Sequence, residues 1–288
     1  MRSNSNAPQT AYAAGRKIQF PCVMGVVNTT PDSFSDGGKL YKAEKLDLDQ
    51  ALARCETMVA AGAAILDIGG ESTRPGAKPV SVQEELDRVV PLVERITPNL
   101  DVAVSLDTST PQVMLEGAAA GAHIINDVRA LNRHGALAAA ASTDLAVCLM
   151  HMQGEPGSMQ TAPTYESVVD EVAAFLHDRV ARCVEAGIDI NRLWIDPGFG
   201  FGKTLSHNMK LMRAIDQFVA ANLPVLVGVS RKSMIGAITG RDVSQRLAGG
   251  LSFATWALLQ GAQIIRTHDV AETIDVVAVV QALRAEHG

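Results

Sequence analysis

Eight residues able to bind or polarise a ligand each stand at the end of a short apolar run: Asn28, Asp67, Asp107, Asn126, His151, Asp196, Ser230 and Arg266. Three carboxylates and an amide converging on one place would suit a flat heterocycle with several N–H groups, because a carboxylate facing paired donors makes two charge-assisted hydrogen bonds. Singly, each aspartate could be an ordinary turn residue; together they form a ring of acceptors. Arg266 and His268 lie two residues apart in IIRTHDV, so both point the same way on an extended segment and suit an anion. GVSRKS, Gly228 to Ser233, admits two readings. Ser230 could cap a helix while Arg231 and Lys232 face solvent. Alternatively, free backbone N–H groups and Ser233 at the helix start hold a carboxylate or phosphate.

Three long loops rich in Gly and Pro follow such runs. NTTPDSFSDGG (28–38) carries Asp32 and Asp36, DIGGESTRPGA (67–77) carries Glu71, Ser72, Thr73 and Arg74, and IDPGFGFGKT (195–204) carries three alternating glycines. Long loops at a strand-end face are usually functional. The third loop is not a nucleotide motif. Pro197 stands where a phosphate-binding loop needs its first glycine, and Gly198, Gly200 and Gly202 are spaced GxGxG rather than GxGxxG. His151, in LMHMQG, has no charged neighbour in sequence and is read as supporting the site from behind.

These residues need a scaffold that brings strand ends together. MGVVN, AAILD, VAVSLD, HIIN, AVCLM, LWID, VLVGVS and QIIR are runs suited to parallel strands buried on both faces, and most are separated by segments of helical periodicity. The pattern predicts a single-domain (β/α)8 TIM barrel, whose active site lies at the C-terminal ends of the strands. The barrel is expected over 17–288, with 1–16, rich in Ser, Asn and Ala, as a loose tail. A helix is expected near 46–61 with Leu48, Leu52, Cys55 and Val59 on its buried face, and another runs unbroken over about 207–220.

Composition bounds the function. A net charge of −6 over 288 residues argues against a broad nucleic-acid footprint. No apolar run approaches the roughly 20 residues that span a bilayer, and the N-terminus lacks the apolar core of a signal peptide, so a cytoplasmic protein without membrane partners is expected. Cys22, Cys55, Cys148 and Cys183 form no CxxC pair and read as buried free thiols.

In order, NTTPDSFSDGG, DIGGESTRPGA, SLDTS, IIND, LMHMQG, DPGFGFGK, SRKS and RTHDV resemble the dihydropteroate synthase family of folate biosynthesis. The likeness runs from about Ile18 to the C-terminus; Thr29, where an aliphatic residue is commoner, and the extended tail are the departures. The resemblance implies a transferase that joins 6-hydroxymethyl-7,8-dihydropterin pyrophosphate to p-aminobenzoate with Mg2+ and is blocked by sulfonamides. It implies a pterin pocket of Asp107, Asn126, Asp196, Lys232 and Arg266, with Asp67 supporting the mouth. It also implies pyrophosphate contacts from Asn28, Thr73, Arg266 and His268, and a metal site of Asn28 and Asp36. Phe34, Arg74, Pro75, Phe201, Lys232 and Ser233 resemble the p-aminobenzoate pocket. Asp107, Lys232, Arg266 and His268 would be the catalytic group, and the family implies a homodimer.

Aromatic amines are weak nucleophiles, so helping pyrophosphate leave gains more than deprotonating the amine. An SN1-like displacement is expected, and no residue reads as a covalent nucleophile. Three other readings compete: a folate-binding methyltransferase barrel, which would not need the SRKS anion site; a catalytically silent relative acting as a binding partner; and a Schiff-base aldolase using Lys232.

Overall fold

The structure, a computed structural model, describes residues 8–30, 41–42, 45–72, 80–154, 159 and 162–286. Eight parallel strands form one sheet: β1 (Cys22–Asn28), β2 (Ile65–Gly69), β3 (Ala103–Asp107), β4 (Ile124–Asp127), β5 (Ala146–Met150), β6 (Leu193–Asp196), β7 (Leu226–Gly228) and β8 (Ile264–Thr267). In space they run β6-β5-β4-β3-β2-β1-β8-β7. A parallel bridge between Ile195 and Val225 joins the two ends and closes the barrel. Outside lie helices α1 (Leu48–Ala60), α2 (Val82–Ile96), α3 (Pro111–Ala119), α4 (Ala136–Ala141), α5 (Val168–Glu185), α6 (Leu205–Arg213), α7 (Ile215–Val219), α8 (Ser233–Thr239), α9 (Leu247–Leu259) and α10 (Val270–Ala285). The (β/α)8 expectation holds.

The period of two along each strand divides the apolar residues into two sets. Met24, Ile65, Ala103, Ile124, Ala146, Cys148, Trp194, Leu226 and Ile264 pack together inside the barrel. Val23, Val27, Leu66, Ile68, Val104, Leu106, Ile125, Val147, Leu149, Ile195, Val227 and Ile265 belong to the larger core beneath the helices. Two residues beyond Ile65, Ile124, Trp194 and Ile264 come Asp67, Asn126, Asp196 and Arg266, which therefore share the lumenal face one layer nearer the C-terminal mouth.

The loose tail expected through residue 16 is wrong from Thr10 onward. Thr10–Ala13 pairs antiparallel with Arg16–Gln19. Ala11, Ala13, Ile18 and Phe20 join the lumenal core, with Phe20 set edge-on against Trp194 at 6.0 Å between ring centroids. The hairpin plugs the N-terminal end of the barrel, so burial of its alternate apolar residues supplies the order that composition did not suggest.

Two helices depart from expectation. On α1 the buried residues are Ala51, Cys55 and Met58, with Leu48, Leu52 and Val59 at the flanks. The cause is close approach: a Cβ on Gly25 of β1 would lie 2.9 Å from Met58 Sδ. The helix expected over 207–220 is two, broken at Ala214, whose φ of −109° and ψ of 19° leave the helical range.

Candidate active site

The strand register sets the mouth. Gly69 lies opposite Asp107 and Asp107 opposite Asn126, while Arg266 on β8 lies opposite Gly228 and Met24. Arg266 reaches across the opening. Its Nε donates to Asp67 Oδ2 at 2.6 Å, and its Nη2 donates to Asp107 Oδ2 at 2.7 Å. Asn126 Nδ2 donates to the same Asp67 oxygen at 3.0 Å. Asp67 is fully buried and accepts from both Arg266 and Asn126.

The charges follow from this packing. Burial opposes the charge on Arg266, but Asp67 and Asp107 outweigh it and raise its pKa. Burial also raises Asp107 to about 7, against the lowering pull of Arg266 and with a further push from Asp67. Asp196 is likewise raised by burial, with Lys232 and the Gly198 N–H opposing. Its Oδ1 accepts from Gly198 N at 2.7 Å.

The SRKS segment does not form the simple cap. Ser230 instead accepts from His268 N at 3.2 Å and lies 3.1 Å from His268 Nδ1. Arg231 adopts φ of 60°, an uncommon conformation for a residue with a side chain, and its guanidinium is paired with Asp269. This turn aims Lys232 at the mouth. There Lys232 Nζ donates to Phe199 O and sits 4.7 Å above the Phe201 ring. Desolvation lowers its pKa to about 8, with Asp196 opposing and Arg266 assisting. Lys232 is the N-cap of α8 without a side-chain cap bond, and Ser233 opens the helix.

The glycine loop after β6 is built by close approach. Gly198, Gly200 and Gly202 all have positive φ. A Cβ on Gly198 would lie 1.9 Å from His151 O, and one on Gly202 would lie 2.3 Å from Gln153 O. Only glycine fits there. His151, which lacks a charged neighbour in sequence, has one in space: Lys203 Nζ is 3.0 Å from its Nδ1.

A ring of acceptors at a barrel mouth, with a lysine and an arginine among them, has known counterparts. Residues 24–268 match the pterin binding enzyme family. The dihydropteroate synthase of Escherichia coli K12 is 53% identical over 272 residues, 94% of this chain and 95% of its own length, and that of Haemophilus influenzae is 49% identical over 265 residues, 92% of this chain and 94% of its own. The Yersinia pestis dihydropteroate synthase with a sulfonamide drug complex has a TM-score of 0.92 at 50% identity, covering 96% of this chain and 99% of that one. The chain belongs to the dihydropteroate synthase family. It is therefore an enzyme, a transferase of folate biosynthesis.

Of the residues expected in a family site, Asp107, Asn126, Arg266 and, through Asp67, the floor of the mouth are joined in one hydrogen-bonded group. Asp196, Lys232 and Phe201 form a second group around the glycine loop, and His268 with Ser230 a third beside β8. Asn28 ends β1, opposite Gly69. Phe34, Asp36, Thr73, Arg74 and Pro75 lie outside the described residues.

Behind the mouth are buried groups that sequence reasoning missed. Asp127, raised in pKa by burial, accepts from Ser109 Oγ, from Arg129 N at 2.8 Å and from Leu131 N at 2.8 Å. Arg129 in turn pairs with Glu71 at 3.2 Å. Asp127 is next to Asn126 and so faces the other side of the sheet; that alternation was the available signal. Glu85 of α2 receives Thr108 and Thr110.

Proposed function

We propose that this enzyme condenses 6-hydroxymethyl-7,8-dihydropterin pyrophosphate with p-aminobenzoate to give 7,8-dihydropteroate and pyrophosphate. The carrying observation is the lumenal arrangement of Asp107, Asn126, Asp196, Lys232 and Arg266 at one mouth. A flat ring rich in N–H groups would meet Asp196 and Asn126, while Lys232 donates to its carbonyl. Relatives support the same reading: a Xanthomonas albilineans dihydropteroate synthase was solved with 4-aminobenzoic acid, at 46% identity and a TM-score of 0.88, and another with 7,8-dihydropteroate.

The chemistry is SN1-like. The methylene C–O bond to pyrophosphate breaks first, the bonding pair leaves with the oxygen, and the amine nitrogen then bonds to the methylene and loses a proton. Arg266 and His268 stabilise the charge developing on the leaving oxygens. Asp107 in its ionised form stabilises the cationic methylene. Asp67 keeps Arg266 extended toward the site, and Ser230 fixes the His268 ring through Nδ1 so that Nε2 lies on the opposite side.

Among the described residues no three His, Cys, Asp or Glu side chains form a metal cage. That suits Mg2+, which usually takes one or two protein oxygens and completes its shell with water and substrate phosphates. Asn28 and Asp36 would hold it, and bound there it would neutralise pyrophosphate charge.

We further propose a homodimer. α6, α8 and α9 leave an apolar groove of about 450 Å³ lined by Met209, Met212, Ile235, Ile238, Phe253 and Trp256, with Ile238 and Trp256 exposed, and a second copy seated there would bury these side chains. The functional reading is tested by pyrophosphate release: it should require both the pterin pyrophosphate and p-aminobenzoate, and release without p-aminobenzoate at the same rate would overturn it.

A further inference from the structure

Lys203 is 3% exposed and lies behind the glycine loop, out of reach of a ligand in the mouth. Its Nζ has four acceptors: Gly198 O at 2.8 Å, Phe201 O at 3.0 Å, His151 O at 3.2 Å and His151 Nδ1 at 3.0 Å. Four acceptors share the three hydrogens of an ammonium, so every donor of Lys203 is occupied by the carbonyls of Gly198, Phe201 and His151 and by the His151 ring. Where Lys203 donates to Nδ1, the proton of a neutral His151 sits on Nε2. That neutral state agrees with burial and Lys203 together lowering the histidine to about 3.

The rest of the loop is tied by its neighbours. Tyr165 Oη donates to Gly202 O at 2.8 Å, and Asn208 Oδ1 accepts from Gly200 N at 2.8 Å. The two aromatic residues of the loop are held differently. Phe199 is fully buried in the core, and its carbonyl receives Lys232. Phe201 has only its backbone held, its carbonyl on Lys203, while its ring lies part-exposed beneath Lys232. Hydrophobic burial therefore anchors the first half of the loop whether or not Lys203 is present. The second half lacks such an anchor: Tyr165 holds it at Gly202, and Lys203 is the side chain that holds the Phe201 carbonyl itself.

We infer that Lys203 is a positioning residue for p-aminobenzoate: with His151 it clamps the carbonyls of Gly198 and Phe201 and so fixes the Phe201 ring at the mouth. The inference rests on the proposed reaction and on Phe201 facing p-aminobenzoate in it. Lys203 touches no substrate. Asp107 and Asn126 sit on strands away from the clamp, and Asp196 meets it only through the Gly198 N–H, next to the buried Phe199, so p-aminobenzoate should respond more strongly than pterin to its loss.

The test measures steady-state KM for both substrates, and pterin affinity by calorimetry, in Lys203→Met, His151→Leu and His151→Asn. Asparagine places an amide oxygen near the position of Nδ1 and retains the acceptor; leucine removes it. Expected are a rise in p-aminobenzoate KM of about tenfold in Lys203→Met and about threefold in His151→Leu. KM should return to within about twofold of the parent in His151→Asn, with pterin affinity changing several-fold less than p-aminobenzoate KM in every variant. An unchanged p-aminobenzoate KM in Lys203→Met overturns the inference, as does an equal loss for both substrates. If Lys203→Met does not fold, the His151 pair decides alone: leucine and asparagine behaving alike overturns it. Parent enzyme that fails to turn over the two substrates would instead refute the proposed reaction, so the two failures are separable.

Discussion

Arg266 and Asp67 are paired across the barrel mouth, Nε to Oδ2 at 2.6 Å, although 199 residues separate them. The carboxylate is fully buried and the guanidinium about one-fifth exposed. Its second oxygen, Oδ1, is buried without a partner among the described residues, so the charge of Asp67 is committed to Arg266 and Asn126. The pair fixes the Arg266 guanidinium across the mouth from a carboxylate with no exposed surface.

Replacing Asp67 by alanine should therefore cost stability as well as function. Removing one partner of a buried ion pair leaves a charge uncompensated, typically by about 3 to 5 kcal/mol. Here Arg266 keeps Asp107, so the loss belongs near the lower end, about 3 kcal/mol. Urea unfolding reads it; an unchanged midpoint would show that Asp107 alone suffices. Asp67→Asn should lose less, since its amide oxygen can still accept from both donors.

Asp196→Asn is expected to leave the fold intact and remove most pterin affinity. One oxygen of Asp196 is taken by Gly198 N, so the other must serve the ligand, and an amide nitrogen there would face ligand donors. Loss of the charge-assisted contact plus a new unpaired donor should cost about 2 to 4 kcal/mol of binding. Calorimetry with a pterin would show it, and parent-like affinity would contradict the assignment of Asp196.

How much of this could be read in the chain depends on distance and period. The mouth ring was legible because a strand alternates: Ile65 and Asp67, or Trp194 and Asp196, must share a face, and a buried apolar partner fixes which face. The α1 face departs from its periodic reading because the bare Cα of Gly25 on β1 makes room for Met58, a fit between two elements that the periodicity of one does not show. Nothing in the sequence marks the break at Ala214, alanine being the strongest helix former. The His151–Lys203 contact joins residues 52 positions apart, and Lys203 was singled out by no motif. Its surroundings are backbone carbonyls, which every sequence possesses, so no side-chain pattern could announce them.

Two site groups should shape the pH profile. Asp107 acts ionised, and burial raises it to about 7, so kcat/KM should climb with pH through that value. Lys232 acts as a cation and is lowered by desolvation to about 8, so activity should fall above it. The result is a narrow bell. Asp107→Asn should abolish the ascending limb along with most activity, and Lys232→Arg should move the descending limb upward; a profile flat from pH 6 to 9 would sink both roles.

Metal dependence should be conditional on pyrophosphate. The proposed metal residues are one amide, Asn28, and one carboxylate, Asp36, too few to hold Mg2+ without phosphate oxygens, so Mg2+ alone should give negligible heat in calorimetry and measurable binding should appear once pyrophosphate is added. Full turnover in excess chelator would refute a metal requirement.

Sulfonamide affinity should depend on what already occupies the mouth. Phe201, Lys232 and Ser233, the described members of the expected p-aminobenzoate pocket, come from the glycine loop and the start of α8, and Ser233 is exposed, so alone they offer little enclosure. The other expected members, Phe34, Arg74 and Pro75, belong to the same loops as the pyrophosphate and metal residues Asn28, Asp36 and Thr73. Pyrophosphate and Mg2+ bound beside those residues would add contacts for the second substrate, and the pterin ring would supply one wall. A sulfonamide that mimics p-aminobenzoate should thus bind at least tenfold more tightly with pterin, pyrophosphate and Mg2+ present, a coupling of about 1.4 kcal/mol or more. Linkage requires the reciprocal effect, so the sulfonamide should tighten pyrophosphate binding by the same factor. Calorimetric titrations in both orders measure the two factors, and equal affinity with and without the other ligands would mean a pocket formed in advance.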